Sequence, residues 1–324
     1  MTDQAMTGPN NIGARGIAIV GAGLVGIGWA IVFARAGLAV RIHDRDAVRL
    51  AGVPDLMRGS LNDLQALGLL DDPDAVMEWV TCHTDLADAV VGVDYIQESV
   101  LERIDVKRAL YEQFDALLAP HTLVGSSSSG IPSSAFTEGL SIAPNCLVSH
   151  PVNPPYLARI VELVPADWTH PQVVDAVHAL MKRVDQHPIR VTRELEGFVL
   201  NRLQGALLRE AWALYDEGYC SLVDLDATIS EGLGLRWSFM GPFETIDLNA
   251  PGGIRDYAER LGGLYLSIAQ DRTDPQPWSE NLIARVEAER RLTLPVDRLK
   301  ERGAWRDRRL MALAAHKRGI PDDT

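Results

Sequence analysis

Short apolar runs alternate with helical periodicities through the first half of the chain. Apolar, β-branched runs over residues 17–20, 40–43, 93–97, 122–125, 146–149, 160–164 and 189–191 predict strands. Helical spacing over residues 24–36, 104–118 and 171–183 predicts helices between them. Such alternation builds βαβ units on a mostly parallel, doubly wound sheet. After about Thr192 the strand signal fades. Residues 197–218 and 222–234 read as helices, the first stopped by a glycine, and helical pattern resumes from Ile254. The expected fold is α/β, with a sheet domain over residues 1–192 and an all-helical domain over 193–324.

One stretch breaks the polar rhythm. Residues 17–34 contain no charged side chain and approach the length of a membrane span. The leader before them, MTDQAM, has no basic cluster, so no signal peptide is expected. The stretch also holds four glycines, which fit a buried strand, a tight turn and a buried helix better than a span.

Three of those glycines form Gly21-Ala22-Gly23-Leu24-Val25-Gly26, a GxGxxG between an apolar strand and a helix. The first glycine permits the turn, the second lets backbone approach a pyrophosphate, and the third lets helix pack on strand. Leu24 and Val25 open the helix, whose free N–H groups and partial positive charge favour phosphate. Asp44 follows Gly26 by 18 residues, at the end of the next strand. Its carboxylate is placed to accept bonds from ribose hydroxyls and would repel a 2′-phosphate, which favours NAD over NADP. FAD uses the same fingerprint, so the motif alone leaves it open. Residues 1–192 thus become a Rossmann-type NAD-binding domain, and 193–324 a helical substrate and dimerisation domain.

Further along, His150 ends a strand and precedes Pro151, which biases it towards extended backbone. Ligands of open α/β sheets bind at strand carboxyl ends. Glu162 comes 12 residues later, amid Ile, Val and Leu. A carboxylate there is costly unless paired, and His150 is a suitable partner. Oxidation of a secondary alcohol needs a base for the hydroxyl proton, and an imidazole oriented by a carboxylate supplies one.

These segments resemble the L-3-hydroxyacyl-CoA dehydrogenase superfamily, in particular its lambda-crystallin, or L-gulonate 3-dehydrogenase, branch. The resemblance runs through IAIVGAGLVGIGWA, YIQESVLER, SSSSGIPSS, SHPVNPPYLARIVELVP and GFVLNRLQGALLREAW. It is most specific in EGLGLRWSFMGPFETIDLNAPGG and WRDRRLMALAAHKR. It implies that His150 is the general acid/base and Glu162 its orienting partner. It implies that Ser129 and Asn201 hydrogen-bond the substrate oxygen, and that Glu98 lines the nicotinamide side. Ser129 belongs to a run of four serines, any of which suits a loop ligand. Glu98 is equally suited to capping the helix that follows.

Composition narrows the substrate. The 324 residues carry 31 Lys and Arg against 44 Asp and Glu, a net charge of −13. That balance opposes a nucleic-acid or anionic-membrane partner. Residues 56–90 hold one basic residue, Arg58, beside Asp63, Asp71, Asp72, Asp74, Glu78, Asp85 and Asp88. Such a segment repels CoA phosphates, which points to a small hydroxy acid, with Arg236 the candidate for its carboxylate. The family pattern ETMHLN reads ETIDLN here, with Asp247 in place of the histidine. The expected activity is NAD-dependent oxidation of a small L-3-hydroxy acid, foremost L-gulonate. The alternatives are a 3-hydroxyacyl-CoA dehydrogenase, a carnitine dehydrogenase, with Asp247 facing a quaternary ammonium, and a non-catalytic NADH-binding crystallin. Three scattered cysteines, Cys82, Cys146 and Cys220, fit a reducing cytoplasm, and no His or Cys spacing predicts a metal site. Long helices with apolar faces suggest a homodimer.

Overall fold

The computed structural model describes residues 16–320. The MTDQAM leader lies outside them. Eight strands form one sheet: β1 Ile17–Val20, β2 Val40–His43, β3 Val80–His83, β4 Tyr95–Glu98, β5 Leu123–Ser126, β6 Cys146–Pro151, β7 Ile160–Pro165 and β8 His187–Arg190. The order is β3-β2-β1-β4-β5-β6-β7-β8. Every pairing is parallel except β6 with β7. The seven expected strands are present, two with the expected ends and the others with ends moved by at most two residues. The eighth, β3, carries the sequence VTCH, lies at the sheet edge and is half exposed, so no apolar run announced it.

Helices cover both faces. The longer ones are α1 Leu24–Arg35, α2 Val53–Ala66, α3 Ile104–Leu117, α4 Pro171–Arg183, α5 Leu200–Asp216, α6 Gly253–Gln270, α7 Glu280–Thr293 and α8 Leu299–Arg318. Ile17 and Ile19 share one core with residues of α1, α2 and α4. Ala18 and Val20 point into the other, with Leu110, Tyr111 and Phe114 of α3. The period-2 alternation of β1 therefore divides its side chains between two apolar layers, which is why the strand is apolar throughout. The helix α1 is buried from Gly26 to Ala34, which accounts for the uncharged run. Among the described residues no helix is long and apolar enough to cross a membrane.

The described residues divide into two compact units, 16–204 with 302–320, and 205–301. This differs from the expected division near 193 at both ends. The α8 helix groups mainly with the sheet because Met311, 1% exposed, is part of the α1 core. The α5 helix begins at Leu200 rather than at Gly197, because Gly197 and Phe198 take φ of +74° and +49°. The helix expected over 222–234 starts as Leu222–Ala227 and widens into a π turn at Thr228–Leu233. In the second unit Arg272 bridges Glu210 and Glu217, both at 2.9 Å, and Trp212 stacks on Trp278 with centroids 4.4 Å apart.

Candidate active site

The glycine loop sits where the sheet order turns, between the carboxyl ends of β1 and β4. Its glycines have separate reasons. At Gly21, φ is +109° and a Cβ would lie 2.4 Å from the Ser99 carbonyl oxygen. At Gly26 a Cβ would lie 1.9 Å from the Gly21 carbonyl oxygen. At Gly23 a Cβ would meet nothing within 4 Å, so the backbone is bare on the side a pyrophosphate must approach. No side chain caps the start of α1, which leaves its N–H groups for phosphate oxygens. Asp44 accepts from Ala22 N and Asp46 N, both at 3.0 Å, and pairs with Arg49 at 3.1 Å. Burial pushes its carboxyl up, but the bonds from Asp46, Ala22 and Arg49 outweigh that and hold it below the ordinary value. It is therefore an anion that fixes the loop. These residues fit a dinucleotide.

His150 and Glu162 face each other across the antiparallel β6–β7 pair. His150 Nδ1 lies 2.7 Å from Glu162 Oε2, and the two residues are 6% and 1% exposed. The second carboxylate oxygen, Oε1, accepts from Val199 N at 2.8 Å and Leu200 N at 3.0 Å. The positive φ of Gly197 and Phe198 turns the chain so that these N–H groups point at Glu162. Burial raises the Glu162 carboxyl, but the His150 bond and the two N–H bonds more than offset it, so the group lies below its ordinary value. With Nδ1 held by a carboxylate, Nε2 is the basic nitrogen.

The four serines separate in the structure. Ser126 Oγ donates to Glu98 at 2.5 Å. Ser127 Oγ meets Trp29 Nε1, Gln97 Nε2 and Ser99 Oγ at 3.1, 2.8 and 2.9 Å. Ser128 Oγ donates to Glu102 at 2.7 Å. Ser129 is exposed, and among the described residues its hydroxyl has no partner. Asn201 Nδ2 donates to the Ser129 carbonyl. The first turn of α5 thus holds both pairs, Glu162 through Val199 and Leu200, and Ser129 through Asn201.

Glu98 lies at the carboxyl end of β4, but its carboxylate turns inward. It is 0% exposed, pairs with Lys107 Nζ at 2.9 Å and accepts from Val100 N at 2.8 Å. That side chain makes no cap on α3. The residue that holds the serine loop is Glu102, which sequence reasoning passed over. It accepts from Ser129 N at 2.7 Å and Gly130 N at 3.2 Å, and lies 3.3 Å from Lys107. An acid just ahead of a helix was the available signal.

Arg236 lies in the second unit on a short helix, Gly234–Trp237, and is half-buried. Trp237 and Phe239 beside it are 40% and 65% exposed. Asp247 accepts from Ile254 N at 2.7 Å and so caps α6, which gives it a structural task. Among the described residues no cluster suits a metal ion.

Known proteins bear on this geometry. The 3-hydroxyacyl-CoA dehydrogenase NAD-binding domain model matches residues 16–195, and the C-terminal domain model of the same enzyme matches 197–292. Lambda-crystallin of Oryctolagus cuniculus is 40% identical over 311 residues, covering 94% of this chain and 97% of the relative. L-carnitine dehydrogenase of Oceanobacillus iheyensis is 32% identical over 247 residues, covering 76% and 80%. The solved structure of 5-formyl-3-hydroxy-2-methylpyridine 4-carboxylic acid 5-dehydrogenase, an NAD-dependent dismutase, superposes with a TM-score of 0.82 at 27% identity, covering 95% of this chain and 99% of the other.

Proposed function

This chain belongs to the 3-hydroxyacyl-CoA dehydrogenase family of NAD-dependent oxidoreductases, and from that premise we propose that it oxidises a small L-3-hydroxy acid, foremost L-gulonate to 3-dehydro-L-gulonate. The observation that carries the reading is the buried His150–Glu162 pair with both carboxylate oxygens occupied. Gly21–Gly26 and Asp44 would hold NAD, which would supply the acceptor for the carbinol hydride. His150 Nε2 takes the C3 hydroxyl proton. Glu162 keeps the Nδ1 proton in place and stabilises the imidazolium that forms. The Ser129 hydroxyl and the Asn201 amide hold the reacting oxygen against His150. Arg236 is the candidate for the substrate carboxylate.

The acid-rich segment favours a substrate without CoA. Its one cation, Arg58, is already engaged by Asp74. The relatives named as carnitine dehydrogenases raise a quaternary ammonium as substrate, and Asp247, whose Oδ1 accepts from Ile254 N, keeps Oδ2 for such a cation. A non-catalytic crystallin would have no use for an acid–base pair locked on both sides.

The test is NADH formation by the purified chain with NAD and a panel of hydroxy acids. L-gulonate turns over. Silence with L-gulonate beside rapid consumption of NADH by acetoacetyl-CoA overturns the substrate. Tight NADH binding with no turnover across the panel restores the structural role. The working form we propose is a cytoplasmic homodimer, supported by three free thiols and by the apolar surface of the helical unit.

A further inference from the structure

A cavity of about 130 Å³ opens beside the loop that leaves β6, three to six residues beyond His150. Its walls come from four places: Leu24 in the first turn of α1, Ser60 on α2, Asn153 and Tyr156 on the loop, and Arg306 and Asp307 on α8. All lie in the first compact unit. The polar groups are mixed in kind. Tyr156 Oη donates to Ser60 Oγ at 3.3 Å, so each hydroxyl retains further capacity. Arg306 holds Asp307 Oδ1 through Nε and Nη2, at 2.8 and 2.6 Å. That leaves N–H groups of the guanidinium and Oδ2 of the carboxylate for another partner. Among the described residues the Asn153 amide, which is exposed, has no partner.

A site for a carboxylate would offer an unneutralised cation. A site for an ammonium group would offer an unneutralised acid. Here the two charges cancel, and what remains is a set of donors and acceptors among the apolar walls of Leu24, Ile27, Leu56 and Pro154. Hydroxyl groups, which donate and accept at once, satisfy such a set. The size agrees. A cavity of about 150 Å³ takes a benzene ring, six heavy atoms. A three-carbon chain bearing three hydroxyls also has six.

We propose that this cavity is the subsite for a polyhydroxylated tail, the part of a sugar acid that extends beyond the oxidised carbon, and that Ser60, Tyr156 and the Arg306–Asp307 pair determine specificity there. The inference rests on the hydroxy-acid reading above and sharpens it, since it separates polyol acids from 3-hydroxybutyrate and from carnitine. It places the carboxylate elsewhere and makes the tail the selected feature.

The experiment compares kcat/KM for L-gulonate with kcat/KM for L-3-hydroxybutyrate, which has no polyol tail, in wild type, Ser60→Ala, Tyr156→Phe and the cavity-filling Ser60→Phe. The ratio falls about fivefold to twentyfold in the first two variants, mostly through KM, as the loss of one hydrogen bond requires. In Ser60→Phe it falls more than a hundredfold. A ratio that stays at the wild-type value in all three overturns the subsite, because the residues then act on fold or cofactor alone. If wild type oxidises neither acid, the hydroxy-acid reading has failed, and binding decides the cavity separately. L-gulonate then perturbs NADH fluorescence in the wild-type complex and not in Ser60→Phe, while equal response or no response in both overturns the subsite.

Discussion

At the scale of single residues, the chemistry turns on which atoms are already occupied. His150→Gln removes the base while leaving the glycine loop untouched. We expect kcat to fall by about 10²–10⁴ with NADH affinity within about twofold, and activity kept within tenfold would name another base. Glu162→Gln is subtler. Its amide oxygen still accepts from Val199 and Leu200, but its NH₂ must point at His150 Nδ1. That forces the proton onto Nε2 and destroys the base without changing shape, so kcat falls by about as much as for His150→Gln. The same substitution tests the acid side of stability. The folded-state pKa of Glu162 lies below its ordinary value of 4.5, so its contribution is complete above that value and disappears as pH falls through the folded one. The difference in Tm between wild type and Glu162→Gln therefore shrinks as pH is lowered below 4.5, and a constant difference would contradict it. His150 and Glu162 were legible because a histidine at a strand end and an acid in an apolar run are each anomalous. The choice among four serines was not, because it depends on which hydroxyls Glu98, Gln97 and Glu102 claim from other strands and loops. Glu98 was legible only in part. Its place at the end of β4 is visible, but Lys107 returning beneath it nine residues later is a property of the fold.

Among the elements, the strand–glycine loop–helix unit shows how a motif divides into fold and function. Gly26→Ala drives a methyl into the Gly21 carbonyl, a backbone atom that cannot yield. Overpacking of this kind costs about 1–3 kcal/mol, so Tm falls by roughly 2–12 °C. Gly23→Ala meets nothing in the protein, and its φ of −79° suits alanine. We expect its Tm to stay within about 3 °C of wild type. Its NAD dissociation constant rises about tenfold to a hundredfold, since the methyl occupies the approach of the pyrophosphate. Calorimetry and NADH titration on the two variants should give opposite patterns, and like patterns would deny the division. The elements the sequence concealed share a cause. The edge strand β3 buries too little to need an apolar run. In α2 the buried set Val53, Met57, Leu61 and Leu64 is one helical stripe, masked by the acids around it. The start of α5 was misplaced because two residues there take positive φ to aim N–H groups at Glu162, a demand of the site rather than of the helix.

For the whole molecule, charge and apolar surface pull in different directions. Residues 281–320 hold 11 basic and 5 acidic side chains, a local +6, so the remainder of the −13 chain carries −19. An anionic cofactor and the anionic hydroxy acid proposed above would thus be drawn by local groups, the α1 N-terminus foremost, and not by the field of the protein. The helical unit presents a different problem. Within residues 205–301 only Thr245, Ala250 and Leu282 are buried, while Tyr219, Phe239, Phe243, Leu248 and Leu266 are at least 60% exposed. Helices with so little interior of their own need an apolar partner to remain folded, and exposed clusters of this kind mark association sites. The proposed partner is a second copy, whose like face is self-complementary about a two-fold axis. Sedimentation equilibrium should then return close to twice the chain mass of 35.5 kDa at micromolar concentration. Because association is coupled to folding, Tm should rise with protein concentration. Phe243→Glu, which adds a charge to a side chain 74% exposed in the isolated chain, should shift the population towards the single-chain mass and lower Tm. A single-chain mass for wild type, with a Tm independent of concentration, would show that the helical unit holds together alone and that its apolar surface serves another partner.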